Sequence, residues 1–199
     1  MYRFAIFLAA MSCGAATATA QDIEPRNSPD LPERLAPIDD MLRGGLLNDP
    51  TDIGWDFYGT DLTSQLVQEE TIPGGGAAMR VTMSSPGEVY AGGLNIPLLA
   101  RVNSGDQVTI GFFARVIESA AEGGVGRVFV RFQQNSEPYP GFGDQFVNVD
   151  GEWGFYEVTA QADRDLARDG IVALQFGAAR QTVEIGQAFV VSGVRSVLD

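Results

Sequence analysis

The sequence predicts an all-β domain, either a sandwich or a barrel, and three observations support this fold class. From about Leu46 onward, short apolar runs alternate with clusters of Gly, Pro, Asn and Asp, which is typical of strands joined by turns. Several runs alternate apolar and polar residues with the period of two that a strand requires. Outside a possible turn at residues 164–168, no segment repeats with the helical period of about 3.6 residues.

Each predicted strand is bounded by residues that favour turns. The segments PGGG, SSPG, NSGD, EGGVG and ARDG each precede a strand, and DGE joins two others as a hairpin. The stretch at 107–117 has the longest clean alternation, with Val108, Ile110 and Phe112 on one face. The predicted strands are residues 54–58, 77–83, 88–96, 107–117, 126–134, 145–149, 153–160, 171–177 and 182–191.

The first twenty residues predict a cleavable signal peptide, with a buried N-terminal helix as the alternative. MYR is a positive start, residues 4–11 are an apolar run too short to span a bilayer, and ATA at residues 18–20 is a cleavage site. We therefore expect no membrane span and a secreted or periplasmic bacterial protein after cleavage near Ala20. The only cysteine, Cys13, leaves with the signal, so the mature chain has no disulfide.

The composition excludes several classes of catalytic and binding site. The chain has no His, and reading along it shows that all 13 basic residues are Arg, so Lys is absent as well. A Ser-His-Asp triad, a His-ligated zinc site and a Schiff-base lysine are therefore excluded, whereas paired carboxylates of the glycosidase kind remain open. The net charge of −13 argues against nucleic acid and anionic lipid as partners, because both are negatively charged.

Residues 21–45 predict an extended, flexible lead ahead of the β domain at 46–199. The segment QDIEPRNSPDLPERLAPIDD has four prolines among charged residues and few large apolar side chains. Such a composition cannot bury enough apolar surface to fold by itself. One short helical turn is possible between residues 39 and 47, just before the composition changes.

Three of the predicted strands combine an aliphatic face with a second face that carries long polar side chains. The planar ends of Arg and Gln donate several hydrogen bonds in one plane, which suits adjacent hydroxyl groups. Ordinary solvent exposure is the alternative, because one-sided sheets have polar faces by default. The candidate binding residues on these faces are Arg115, Arg131, Gln133 and Gln175.

Aromatic residues in loops form a second set of candidates. Tyr139 and Phe142 lie in NSEPYPGFGDQF, a loop rich in Pro and Gly, and Tyr90 stands at the start of AGGLNIP. Rings on such loops could stack against the apolar face of a sugar. Alternatively, Tyr139 and Phe142 could plug the end of the sandwich.

Four segments in order resemble a known family: GDQVTIGFFARV, VFVRFQQN, DGEWGFYEVTAQA and IVALQFGAARQTVEIGQAFV. They are similar to the jelly-roll carbohydrate-binding modules of the 4/9 and 22 type (galactose-binding-domain-like), which are appended to secreted glycoside hydrolases. GD at 105–106 precedes a strand ending in FAR at 113–115, EW at 152–153 precedes FY at 155–156, and TVEI at 182–185 closes the domain. The resemblance covers about residues 46–192.

The resemblance implies a jelly-roll β-sandwich of two antiparallel sheets that binds a poly- or oligosaccharide without catalysis. The Glu-x-Asp-x-Glu strand pattern of laminarinase-like glycosidases is absent from the chain. A structural or protein-interaction domain without a sugar ligand is the main alternative, and a carboxylate-based glycoside hydrolase is the weaker one.

One departure from the family concerns a metal ion. Such modules usually have an Asp after the closing strand motif, often linked with a structural calcium, whereas this chain has Gly186 and Gln187. We therefore expect no metal ligand or cofactor, although Asp49, Asp52 and Glu184 could supply oxygen ligands for calcium.

Overall fold

The computed structural model describes residues 31–198, and these form two antiparallel sheets packed face to face. The predicted signal peptide at 1–20 and the first part of the lead lie outside the described residues, so both stay predictions. The predicted all-β sandwich of two antiparallel sheets is confirmed. Within 31–198, no helix has the length and apolar character needed to cross a membrane.

The strands belong to a six-stranded and a five-stranded sheet. In chain order they are β1 (Gly45–Leu46), β2 (Asp56–Tyr58), β3 (Leu62–Gln68), β4 (Ala77–Met83), β5 (Gly93–Pro97), β6 (Gln107–Ser119), β7 (Gly126–Gln134), β8 (Gly141–Val149), β9 (Gly154–Gln161), β10 (Gly170–Gln175) and β11 (Gln181–Ser192). The first sheet has the order β3-β4-β11-β6-β9, with β1 pairing to β11. The second has the order β2-β5-β10-β7-β8.

The described helical segments are single turns. Glu33–Leu35 is a 3-10 turn that leads directly into a four-residue α-helix at Ala36–Asp39. Two further 3-10 turns, Val89–Ala91 and Glu122–Gly124, connect strands. The helical turn expected between residues 39 and 47 lies earlier instead, at Ala36–Asp39, and residues 40–44 form a turn and bends before β1.

Most strand predictions hold, and the exceptions have physical reasons. β4 and β7 have the predicted bounds, whereas the stretch predicted at 88–96 divides into the turn at Val89–Ala91 and β5. β3 is not among the predicted strands, because LTSQLVQ lies at the sheet edge, is mostly exposed, and shows no apolar alternation. β1 is also absent from the predicted strands, since it is only two residues long.

The core lies between the inner faces of the two sheets. Phe112 of β6, Phe132 of β7 and Phe176 just after β10 are its largest fully buried side chains. Burial of each such ring contributes roughly 1.5–3 kcal/mol relative to exposure. Side chains alternate along a strand, so Phe129 and Arg131 of β7 lie half-buried on the outer face.

The outer face of the six-stranded sheet is covered by the two ends of the described chain. Leu35 of the lead is buried against Leu46 and Val191. At the other end, Thr109 Oγ1 donates to the carbonyl of Val194 at 2.7 Å, and the Val197 amide donates to Glu157 at 2.5 Å. The five-stranded sheet has no corresponding cover from these two segments.

The described part of the lead, residues 31–45, differs from the extended, flexible segment that the sequence predicts. Its leucines and isoleucine occupy one side of the turn and pack on the outer face of β11. Few apolar residues suffice here because the sheet supplies the rest of the apolar surface. The apolar residues packed around the buried cluster are Leu31, Ile38, Leu42, Leu99, Val194 and Val197.

A buried ion triad joins the central strands of the six-stranded sheet. Glu184 of β11 is fully buried and lies directly opposite Arg80 of β4 and Arg115 of β6. Arg80 Nε and Nη2 donate to Glu184 Oε1 at 2.9 and 2.6 Å, and Arg115 Nε donates to Oε2 at 2.6 Å. The guanidinium of Arg115 also lies 4.9 Å from the centre of the Trp153 ring. A buried carboxylate requires such partners, because desolvation of an unpaired charge is strongly unfavourable.

We expect the double substitution Arg80→Ala and Arg115→Ala to lower the free energy of unfolding by about 3–5 kcal/mol, since it leaves a buried carboxylate without its partners. Adding Glu184→Gln should recover part of this loss, because the amide has no charge to leave unpaired. Urea unfolding measures all three proteins. Arg164→Ala, which breaks an exposed ion pair with Asp163, should leave the midpoint unchanged. A double variant as stable as the wild type would contradict this role.

Candidate functional site

A cavity of about 770 Å³ opens on the outer face of the five-stranded sheet. Side chains from all five strands of that sheet or the loops beside them contribute to its wall. The lining residues from strands are Tyr58, Asn95, Phe129, Arg131, Gln133, Asp144 and Gln175. Those from the connecting segments are Val89, Tyr90, Asn135, Pro138 and Tyr139.

Small residues at the centre of the sheet create this depression. Gly93 of β5 pairs with Gln175 of β10, and Ala173 of β10 lies between Asn95 and Arg131 on the neighbouring strands. Ala173 is fully buried below the larger side chains on either side. The floor of the cavity is therefore low at Gly93 and Ala173, and larger side chains from the flanking strands form its walls.

Tyr58 and Gln175 form a fixed polar pair over this floor. Gln175 Nε2 donates a hydrogen bond to Tyr58 Oη at 3.1 Å. A Cβ at Gly93 would lie 2.6 Å from Tyr58 Oη, so the phenol can lie across β5 only because this residue is glycine. Burial raises the pKa of Tyr58 above its ordinary value, and the hydrogen bond from Gln175 lowers it by a smaller amount. The phenol therefore stays protonated near neutral pH and keeps one O–H to donate.

Asn95 presents to the cavity a polar atom that is unpaired within the described part of the chain. Its side-chain Oδ1 is buried and has no hydrogen-bond partner among residues 31–198. A buried amide oxygen without a partner is unfavourable by about 1–3 kcal/mol. Since Asn95 lines the cavity, a donor on a bound ligand would relieve this penalty.

Arg131 and Gln133 occupy the outer face of β7, as the alternation predicts. Arg131 forms an ion pair with Asp144 of β8, in which Arg131 Nη1 donates to both carboxylate oxygens. Gln133 is buried to 8 % exposure at the edge of the cavity. Both side chains are therefore held by their surroundings rather than free to move in solvent.

Two tyrosines on loops form the rim. Tyr139 lies on the loop between β7 and β8, where its backbone φ is 55° and its amide donates to the Ser136 carbonyl at 2.7 Å. Tyr90 lies on the 3-10 turn before β5. Their exposed fractions are 47 % and 62 %, so both rings present much of their surface to a ligand.

The structure brings together five of the seven residues that the sequence predicts as a binding site, and places two elsewhere. Arg115 belongs to β6 of the other sheet, where it pairs with Glu184, so it cannot share a face with Arg131. Phe142 is buried to 6 % exposure and stacks on Phe132 at 5.4 Å, as part of the core. Of the seven candidates, those that line the cavity are Tyr90, Arg131, Gln133, Tyr139 and Gln175.

Several lining residues are not among the candidates predicted from the sequence. Asn95 stands between the buried Leu94 and Ile96, so alternation alone could have assigned it to the outer face. Phe129 shares that face with Arg131, and the same pattern would have found it. Tyr58 and Asp144 gave no such signal, because β2 has three residues and β8 is irregular beside Asp144.

The carboxylates considered for calcium have other partners. Asp49 pairs with Arg34 and accepts from Thr51, Asp52 Oδ1 accepts from the Gly54 amide at 2.7 Å, and Glu184 lies in the ion triad. In the part of the chain that the structure describes, no group of three or more His, Cys, Asp or Glu residues is placed to hold a metal ion.

Comparison with known proteins finds similarity in structure only. No family model matches the chain, and no curated protein matches it in sequence. A CBM4 carbohydrate-binding module has a TM-score of 0.53 and 22% identity, over 70% of this chain and 95% of the module. The MgGH51 α-L-arabinofuranosidase with bound arabinose has a TM-score of 0.58 and 13% identity, over 75% of this chain and 27% of the enzyme. The chain therefore has the fold of jelly-roll carbohydrate-binding modules, which confirms the predicted resemblance at the level of the fold.

We expect one phenol of the folded protein to ionise above the ordinary tyrosine pKa of 10.0, and Tyr58→Phe to remove it. The folded pKa is raised, so this group's contribution to stability is complete below pH 10 and is lost as the pH rises through the folded pKa. Phenolate absorbance during an alkaline titration of both proteins measures the difference. A difference curve with its midpoint at or below 10 would show that burial does not perturb Tyr58.

Proposed function

We propose that this protein is a non-catalytic carbohydrate-binding domain whose site is the cavity over the five-stranded sheet. The observation that carries the proposal is the convergence of two half-exposed tyrosine rings with planar polar side chains around one depression. A poly- or oligosaccharide is complementary to this arrangement, because its sugar rings have apolar faces that can stack and hydroxyl groups at their edges that can form hydrogen bonds. The cavity volume, about 770 Å³, lies within the roughly 300–1,000 Å³ that is usual for small-ligand sites.

The polar groups suit hydroxyls because several of them can donate and accept at once. Tyr58 donates its O–H while accepting from Gln175, and Asn95 has an unpaired acceptor. Each hydrogen bond contributes only about 0.5–1.5 kcal/mol net, because it replaces one to water. We expect affinities between about millimolar and tens of micromolar, equal to roughly −4 to −7 kcal/mol.

The carboxylate content of the cavity favours binding without hydrolysis. Glycosidases of the common type place two carboxyl groups about 5–10 Å apart on either side of the bond that they cleave. Asp144 is the one carboxylate among the described lining residues, and its oxygens accept hydrogen bonds from Arg131. A domain that holds a glycan for another function agrees with this arrangement better than a hydrolase.

The proposal includes export of the protein to the periplasm or the cell exterior. Its support is the sequence of residues 1–20, with a positive start, an apolar run and a cleavage site. Polysaccharides that such a domain would bind are found outside the cytoplasm.

A second function, binding of a protein partner, is favoured by one observation. β3 forms an edge of the six-stranded sheet, has no charged residue in LTSQLVQ, and exposes Leu66 to 50 %. Uncharged edge strands can add a strand from another chain. This function would leave the cavity unused and would give no response to glycans.

The test is retention of the purified protein by soluble polysaccharides in affinity gel electrophoresis. We expect retention by at least one glycan, and Tyr139→Ala should weaken it at least tenfold, which is about 1.4 kcal/mol, because it removes a stacking surface at the rim. Isothermal titration with oligosaccharides of the same glycan gives the affinity.

Ile117→Ala is the control. Ile117 is an apolar residue of 48 % exposure on β6 of the six-stranded sheet and does not line the cavity, so its removal should leave glycan binding unchanged. Absence of retention on every neutral and acidic glycan, with the protein folded, would contradict the proposed function and favour the protein-partner alternative.

A further inference from the structure

We propose that Asp144 determines which glycans the cavity accepts, by neutralising Arg131 so that the site takes uncharged sugars and rejects acidic ones. The inference rests on the proposed function and adds the substrate class. Arg131 and Asp144 are the two charged side chains among the described residues that line the cavity. They form an ion pair with each other, so this site offers no uncompensated cation to a uronate or a sulfated sugar.

An irregularity in the backbone of β8 determines on which face of the sheet the Asp144 carboxylate lies. Val130 pairs with Gln145 and Phe132 pairs with Phe142, so β8 has one more residue than β7 between these pairs. Such an insertion is a β-bulge, and bulges redirect side chains. Regular alternation from the buried Phe142 would turn Asp144 into the core, but the bulge turns it outward to meet Arg131.

Gly143 permits the bulge. Its φ of +76° lies in the left-handed region that glycine adopts without strain, and a Cβ there would lie 2.8 Å from Ala160 Cβ and from the Phe132 ring. The position of Asp144 is therefore fixed by local backbone structure rather than by side-chain flexibility.

Exposure of the pair to the cavity makes its charge matter to a ligand. The exposed side-chain fractions are 26 % for Arg131 and 48 % for Asp144, so a bound glycan would contact both. The chain as a whole carries a net charge of −13, which repels acidic polymers at longer range.

The pair also leaves Arg131 useful for uncharged ligands. A guanidinium has five N–H donors, and the ion pair is formed through Nη1. The donors on Nε and Nη2 remain available to hydroxyls in a geometry that Asp144 fixes. Asp144 is therefore a positioning residue for neutral sugars and a barrier to acidic ones.

The experiment compares pairs of polysaccharides that share a backbone and differ in charge. Suitable pairs are hydroxyethyl cellulose with carboxymethyl cellulose, and methyl-esterified with de-esterified homogalacturonan. Affinity electrophoresis at low salt measures retention of the wild type and of Asp144→Asn. We expect the wild type to prefer the neutral member, and Asp144→Asn to gain about tenfold or more on the acidic member, equal to about 1.4 kcal/mol. Binding of the neutral member should not increase, so the measured quantity is the rise in the ratio of acidic to neutral retention.

Two further variants identify the group responsible. Adding Arg131→Gln to Asp144→Asn should abolish the gain on the acidic member, since Arg131 is the unmasked cation. Asp61→Asn makes the same change of net charge at an exposed residue outside the cavity and should show no gain. The gain should also shrink at high salt, which screens charges at exposed sites.

The outcomes separate this inference from the function on which it rests. If the wild type binds glycans but Asp144→Asn keeps the same preference between neutral and acidic members, the role of Asp144 is wrong and the proposed function stands. If the gain appears equally in Asp61→Asn, net charge rather than the ion pair is responsible, and the inference is also overturned. If the folded protein and its variants are retained by no neutral or acidic glycan, these pairs included, both the inference and the proposed function are wrong.

Discussion

The constraint on which this structure depends is that each sheet has two faces and can bury only one of them in the sandwich. Phe112, Phe132 and Phe176 fill the space between the sheets and fix which face of each strand is internal. Every polar side chain of functional interest must then lie on an outer face. The location of the candidate site therefore depends on which of the two outer faces is covered by other segments of the chain.

The two outer faces differ in what covers them. On the six-stranded sheet, the lead and the end of the chain pack over the strands, and Glu184 is sealed between Arg80 and Arg115. The partners of Glu184 come from the two neighbouring strands in register. The triad therefore links three adjacent strands and also compensates the buried charge of Glu184. On the five-stranded sheet, small residues at the centre and large ones at the flanks leave a cavity instead. One outer face therefore serves stability, and the other is available for a ligand.

The cavity combines groups that are held in place with groups that are exposed. Tyr58 and Gln175 bond to each other over Gly93, and Arg131 is held by Asp144, so the floor is largely preorganised. Preorganised polar groups reduce the ordering that binding requires. The exposed tyrosines at the rim belong to the connecting segments rather than to strands, and much of their hydrogen-bonding and stacking surface is open. This division agrees with weak, selective binding of a polymer that is itself well hydrated.

The sequence by itself determined the strand periods, most strand bounds and the face of each strand on which a side chain lies. Those properties are local, because alternation depends only on neighbouring residues. The tertiary structure alone decided which strands share a sheet. β10 pairs with β5 and β7, whereas β6 pairs with β9 and β11, so the outward-facing Arg115 lies on the opposite side of the molecule from the site. It also decided the positions of Phe142 and Asp144: the predicted strand begins at residue 145, whereas β8 begins at Gly141, pairs Phe142 with Phe132 in the core, and turns Asp144 outward at a bulge.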